Sequence, residues 1–229
     1  MRIMRRQWVP AAALVLTSGA LLAQSDEADR IRESATVFAE IMAAPDKGIP
    51  GSVLDKAEGI AIFPGAIKAG FILAAQRGRG ILVVRDRTRN TWSPPAFLTL
   101  TAGSVGFQVG GQATDFVLLI QNRRGLEQFL RNEFKVGADA SVAAGPVGRE
   151  AEAATDLQLR AEMLSYSRSR GLFAGVSLEG ASVSEDRDAN GRFYGTEFRT
   201  REVVLDGKAG SPAPVPQLHE TLQRQAQKR

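Results

Sequence analysis

Ile60-Ala61-Ile62-Phe63, Phe71-Ile72-Leu73-Ala74-Ala75-Gln76 and Ile81-Leu82-Val83-Val84-Arg85 decide the fold class. Each is a short β-prone run bounded by glycine, proline or charge, which is the pattern of a strand. Gly78-Arg79-Gly80 reads as a hairpin turn between the last two. The same texture continues through Ala96–Thr101, Ser104–Val109 and Asp115–Gln121, and resumes at Phe134–Gly145, Met163–Ser169 and Leu172–Val183. Val105, Phe107 and Val109 alternate with Gly106, Gln108 and Gly110, so one face is apolar and the other nearly bare of side chains. Such strands allow close backbone approach and suit a strongly bent or barrel-like sheet.

Helices flank this region. Ile31, Ala35, Phe38 and Met42 recur at spacings of four, three and four, predicting an amphipathic helix that Ser25 caps and Pro45 stops. Pro50 opens a second short helix running to about Glu58. A third is expected at Gly125–Asn132, with Arg123 and Arg124 at its start. From Lys208 onward, Gly210-Ser211-Pro212-Ala213-Pro214-Val215-Pro216 reads as an extended, disordered tail spanning residues 208–229.

The composition, 44% hydrophobic and 24% charged over 229 residues, is that of a globular chain and excludes collagen, coiled coil and disorder throughout. There are no cysteines, which removes thiol nucleophiles, thiolate metal sites and disulfides. His219 is the single histidine, so the body of the chain cannot support a Ser-His-Asp mechanism. Arg2, Arg5 and Arg6 ahead of the apolar run Trp8–Leu22 predict an export signal over residues 1–23, with an uncleaved anchor as the alternative. The expected destination is periplasmic or extracellular, peripheral to a membrane. Without those three arginines the formal +4 falls to 26 basic against 25 acidic residues. A globally basic, nucleic-acid-binding surface is therefore not expected, and anion binding must come from local clusters.

Three stretches carry a family resemblance. They are Trp92-Ser93-Pro94-Pro95-Ala96-Phe97 leading to Gly103-Ser104-Val105-Gly106, then Lys135-Val136-Gly137 through Gly145-Pro146-Val147-Gly148-Arg149, and Ser165-Tyr166-Ser167-Arg168-Ser169-Arg170-Gly171-Leu172-Phe173 through Gly180. Phe63-Pro64, Asn190 and Tyr194-Gly195 also fit. Together they resemble the SYLF domain family over roughly residues 30–205, within a domain set at 26–207. The resemblance implies a non-catalytic lipid-binding domain, with phosphoinositides the headgroups associated with eukaryotic members. It implies no cofactor and supplies no active-site residues. Eukaryotic members use a basic N-terminal segment at membranes, whereas the helix here begins with Asp26, Glu27 and Asp29.

Arg77, Arg79, Arg85, Arg87 and Arg89 fall within thirteen residues with Asp86 as the only acid, giving a local charge of +4. Guanidinium groups bind phosphate through paired hydrogen bonds, so this cluster is the first candidate for an anionic phospholipid headgroup. Arg168 and Arg170 form the second. Ala102-Gly103-Ser104-Val105-Gly106 resembles a nucleophile elbow lacking its first glycine, which keeps a serine hydrolase using Ser104 as an alternative. Asp186, Asp188, Asn190, Gly191 and Glu197 match the spacing of a calcium loop, although a strand stands where the entering helix should be, and a plain hairpin is the expectation. No metal site is assigned. The combined expectation is α+β: N-terminal helices packed on a strongly bent, Gly-rich, mainly antiparallel β-sheet or barrel-like core. Its function is headgroup binding, with a structural or protein-interaction module of the cell envelope as the other alternative.

Overall fold

A computed structural model describes residues 13–44, 48–69, 73–105, 113–148, 158, 160–169 and 172–227. Two helices, α1 (Ala13–Ala43) and α2 (Gly51–Lys56), precede β1 (Gly59–Ala69), β2 (Leu73–Asp86), β3 (Thr91–Trp92), β4 (Ala96–Val105) and β5 (Ala113–Ile120). Then come α3 (Arg123–Phe129), β6 (Glu133–Lys135), β7 (Val142–Ala144), β8 (Met163–Ser169), β9 (Leu172–Gly175) and β10 (Ser182–Glu185). Three helices close the chain: α4 (Arg187–Tyr194), α5 (Thr200–Val204) and α6 (Val215–Gln227). The strands form one strongly curled sheet, a half-barrel of order β6-β10-β4-β2-β1-β5-β8-β7, with β3 on β2 and β9 on β8. The sheet is mixed, since β7 runs parallel to β8 while the other strand pairs are antiparallel. The α+β expectation is borne out.

Unbroken apolar runs are explained by burial on both faces of the sheet. Ile60, Ile62, Ile81, Val83, Val117 and Leu119 meet Ile31, Phe38 and Ile41 of α1 in one core. Their neighbours Ala61, Phe63, Leu82, Val84, Leu118 and Ile120 meet Leu126, Phe129 and Phe134 in a second core.

Three expectations are corrected. Gly78-Arg79-Gly80 is not a turn but lies inside the continuous strand β2. The glycines serve packing: a Cβ on Gly80 would fall 2.2 Å from the Ile62 carbonyl oxygen, and one on Gly78 2.8 Å from the Ala66 Cβ, where the register of β1 shifts. Residues 70–72, between β1 and β2, lie outside the described residues, as do residues 106–112, on which most of the expected bare alternating strand falls. The first helix does not start at Ser25, because α1 runs unbroken from Ala13 through Ala23, the expected cleavage point. The third correction concerns the tail. Residues 215–227 form α6, whose Val215, Leu218 and Leu222 are fully buried against α1 and the first core. Pro216 sits in the helix's first turn, where proline is tolerated, and Val215, Leu218 and Leu222 recur at spacings of three and four, the signal that the composition obscured.

Candidate arginine pocket

The five arginines of the first candidate do not converge. Arg77 and Arg79 are exposed in the first half of β2, whereas Arg85, Arg87 and Arg89 sit at its far end and in the turn that follows. Six to eight residues of extended chain, roughly 20 Å, separate the two groups.

At the far end, Arg85, Arg87 and Arg89 share an open pocket of about 400 Å³ with Arg123 at the start of α3. Trp92 and the α5 residues Val203 and Val204 supply apolar wall, and Glu58 and Asp86 are the acids. The turn is shaped by Asp86, whose carboxylate accepts from the backbone N–H groups of Thr88 and Arg89 at 2.9 and 3.0 Å. That Asx-type turn is what a short acidic residue does in a loop. Asn90 completes it with a left-handed φ of 50°.

The arginines differ in freedom. Arg87 donates to Glu58 at 2.8 Å and to the carbonyl oxygens of Lys56 and Asp55 at 2.9 and 3.2 Å, so it caps the exposed carbonyls at the end of α2. Arg85 lies 5.6 Å from the centroid of the Trp92 ring and reaches the Asp55 carbonyl oxygen. Arg89 has 81% of its side chain exposed and only a long pairing with Asp86 at 3.7 Å, so it is the least engaged of the three β2-end arginines. The C-terminal helix holds the same turn from the other side. His219 Nε2 lies 2.8 Å from the Ser93 carbonyl oxygen, and Gln223 donates to that of Asn90 at 3.2 Å. Arg123 is the member that sequence reading missed. Its local sequence announces only a helix start, and nothing nearby signals that α3 packs beside the β2 end.

The second candidate is taken up by the fold. Arg168 pairs with Asp115 at 2.8 Å and with Glu40 of α1, tying α1 to the sheet. Burial pulls its pKa down, but the bonds from Glu40 and Asp115 outweigh this and hold it above the ordinary arginine value. Arg170 lies outside the described residues.

The calcium-loop spacing is neither a loop nor a hairpin. Asp186 caps α4 by accepting from the Ala189 N–H at 3.0 Å, and Gly195, at a φ of 75°, ends the helix. Asn190 is fully buried, accepting from the Phe97 N–H at 3.1 Å and donating to the Phe198 carbonyl oxygen at 2.9 Å. Asp186 also takes part in a buried ionic cluster with Arg30, Glu27 and Arg192. Burial lowers the pKa of Arg30, with Asp186 opposing that shift. Among the described residues no group of His, Cys, Asp or Glu is arranged to hold a metal ion. Ser104 is the penultimate residue of β4, while His219 is bonded to Ser93, which precedes that strand, so the two lie at opposite ends of it.

The stretches that carry the family resemblance build the scaffold. Tyr194 donates to the Pro95 carbonyl oxygen at 2.7 Å and packs 6.4 Å from Phe97, joining the Trp92–Phe97 stretch to α4. Tyr166 stacks on Phe173 at 5.3 Å, and Ser165 donates to the Val176 carbonyl oxygen at 2.6 Å. A Cβ on Gly145 would fall 2.0 Å from the Tyr166 ring, and one on Gly175 2.1 Å from the Gly145 carbonyl oxygen.

Residues 101–225 match the family model Ysc84, described as Las17-binding protein actin regulator. The chain is 38% identical over 186 residues to "LAS seventeen-binding protein 3" of Saccharomyces cerevisiae, covering 79% of this chain and 39% of that protein. It is 36% identical over 199 residues to "SH3 domain-containing YSC84-like protein 1" of Homo sapiens, covering 86% of this chain and 57% of the relative. "Protein YSC84" of S. cerevisiae matches at 37% over 186 residues. The chain thus spans about two-fifths to somewhat over half of the length of these relatives. No described helix is long and apolar enough to cross a membrane.

Proposed function

This chain belongs to the Ysc84 family, the SYLF domain proteins that its sequence resembles, and from that premise we propose that it is a non-catalytic domain binding phosphate-bearing lipid headgroups at an anionic membrane surface. The observation that carries the reading is the pocket of Arg85, Arg87, Arg89 and Arg123, where four guanidinium groups outnumber two carboxylates around an apolar wall. Arginine forks match phosphate oxygens bidentately, and the exposed Arg89 can do so at the cost of no more than its long, 3.7 Å pairing with Asp86. The reading includes export, supported by Arg2, Arg5 and Arg6 ahead of the apolar run to Leu22. Intact mass of the protein recovered from its own cell tests that part: a chain retaining residues 1–23 overturns it. Flotation of the purified domain with phosphatidylglycerol vesicles tests the rest, and a domain that stays at the bottom of the gradient overturns headgroup binding.

A second reading, a protein-interaction module, is favoured by the family description, Las17-binding protein actin regulator, and by the name of the yeast relative LAS seventeen-binding protein 3. In that case the pocket would take an acidic segment of a partner protein, and flotation with anionic vesicles would fail while the domain remained folded.

A further inference from the structure

Arg77 and Arg79, left out of the pocket above, face a separate groove of about 890 Å³ between the β1–β2 pair and the middle of α1. That volume lies within the range of about 300–1,000 Å³ typical of small-molecule sites. The two arginines lie two residues apart on one side of the strand, and among the described residues neither has a hydrogen-bond or ion-pair partner. The opposite wall carries Asp26 and Glu33, two turns apart on α1, which are likewise exposed and unpaired among the described residues. Opposite charges that line one groove without closing into ion pairs leave room for a ligand bearing both. Arg30 and Asp29, the other charged residues of the groove, are engaged elsewhere, with Asp186 and Arg32 respectively. The positive side is reinforced from beneath, since Arg79 lies near enough to Arg30 to depress its pKa further, after burial and against the pull of Asp186.

We propose that this groove binds a phosphoester carrying a primary ammonium group on a short spacer, the chemistry of a phosphoethanolamine headgroup, with Arg77 and Arg79 on the phosphate and Asp26 and Glu33 on the ammonium. Carboxylates accept hydrogen bonds from a primary ammonium, whereas a quaternary ammonium is held by aromatic rings, and the described lining contains none. Ile67, 59% exposed, sits at the rim of the groove on the residue that pairs with Arg77 across β1 and β2. It offers the apolar contact that the glycerol end of a lipid would use. This site is independent of the arginine pocket, which lies at the other end of β2.

The test is calorimetry of the full chain with soluble O-phosphoethanolamine and with inorganic phosphate. In parallel, flotation is run with phosphatidylethanolamine-containing vesicles, phosphatidylcholine vesicles and phosphatidylglycerol vesicles. The expected result is binding to O-phosphoethanolamine, to phosphatidylethanolamine vesicles, or to both, with little to phosphatidylcholine. Binding in solution indicates that a free headgroup suffices; binding only on vesicles indicates the lipid as the source. Arg77→Ala with Arg79→Ala should weaken either form at least tenfold. Asp26→Asn with Glu33→Gln should do the same, while binding of inorganic phosphate and of phosphatidylglycerol vesicles stays as in the parent. No binding of either ethanolamine probe, or equal binding by the Asp26→Asn, Glu33→Gln variant, overturns the proposal. Phosphatidylglycerol flotation reads the arginine pocket separately, so failure of one site is distinguishable from failure of the other.

Discussion

Arg30 Nη1 donates to Asp186 Oδ2 at 3.2 Å across 156 positions of chain, and both side chains are largely buried. The first acid of an apparent calcium loop is therefore spent as a helix cap and as the counter-ion of a buried arginine. Calcium is expected to leave the melting temperature unchanged, because a ligand stabilises only where it binds the native state. Asp186→Ala should cost about 2–4 kcal/mol, combining a lost N-cap with the loss of the hydrogen-bonded counter-ion of Arg30, which keeps only Glu27 at 3.6 Å. Asp186→Asn, which keeps a capping oxygen, should cost less. Thermal unfolding with and without calcium checks the first, and urea denaturation the other two. A calcium-dependent stabilisation that Asp186→Ala removes would sink this assignment.

Gly80→Ala probes the close approach of β2 to β1. Its Cβ would meet the Ile62 carbonyl oxygen at 2.2 Å and the Phe63 ring at 2.5 Å, and the first of these is backbone that cannot rotate away. Overpacking of this kind costs about 1–3 kcal/mol or more. Gly103→Ala in β4 has nothing within 4 Å of the new methyl and should change stability by less than about 0.5 kcal/mol. Equal denaturation midpoints for the two variants would show that the sheet is not curled as tightly as described.

Much of the architecture is legible in the sequence because it rests on local pattern. The runs at Ile60–Phe63 and Ile81–Arg85 announce strands, and Leu126 with Phe129 announces α3. What misled was glycine and proline chemistry with two possible meanings. Gly78-Arg79-Gly80 has turn composition, but the glycines answer to a neighbouring strand that no local window contains. The Pro212–Pro216 stretch hid an amphipathic helix whose partner, α1, lies at the opposite end of the chain. The candidate site was less legible for the same reason. Whether an arginine is free depends on distant carboxylates: Asp115 and Glu40 occupy Arg168, Glu58 occupies Arg87, and Arg77 and Arg79 have none among the described residues.

Alkaline unfolding should follow the two tyrosines, Tyr166 and Tyr194, which are all the chain has. Burial raises the pKa of both phenols above the usual value. Tyr166 is fully buried, and Tyr194 keeps part of its ring at the surface but turns its hydroxyl to the Pro95 carbonyl oxygen. Above about pH 10 the unfolded chain releases protons that the native state retains, so stability falls as pH rises past that point. Phenolate absorbance should appear in one cooperative step together with loss of circular dichroism, and Tyr166→Phe should move the step to higher pH. Phenolate that forms while the fold persists would contradict this burial.

Helix α6 should behave as part of the core. Leu218 and Leu222 have no exposed surface, and truncating a buried leucine to alanine costs about 2–5 kcal/mol. Leu218→Ala is therefore expected to lower the urea midpoint, while Thr221→Ala, on the exposed side of the same helix, should lower it far less. Limited proteolysis gives a second measurement: a protease that trims residues 208–229 from the native protein without loss of stability would show that the segment is a tail after all.

Charge reversal in the arginine pocket must be designed around the contacts just described. Each basic residue near an anionic surface contributes on the order of 1 kcal/mol, and the attraction decays within about 8 Å at physiological salt. Arg85→Glu, Arg87→Glu and Arg89→Glu together should abolish flotation with phosphatidylglycerol vesicles, and parent binding should weaken as salt rises. The triple change also sets a carboxylate against Glu58 and the carbonyl oxygens at the end of α2, so it loses stability through Arg87 as well as affinity. Arg89→Glu alone avoids this, because that side chain is 81% exposed and holds nothing but its own turn. The single variant should keep the parent's urea midpoint and bind phosphatidylglycerol vesicles several-fold more weakly. Arg168→Glu should do the reverse, lowering stability by removing the partner of Asp115 and Glu40. Should Arg89→Glu float like the parent across a salt series, the pocket is not the contact surface and the protein-interaction reading takes its place.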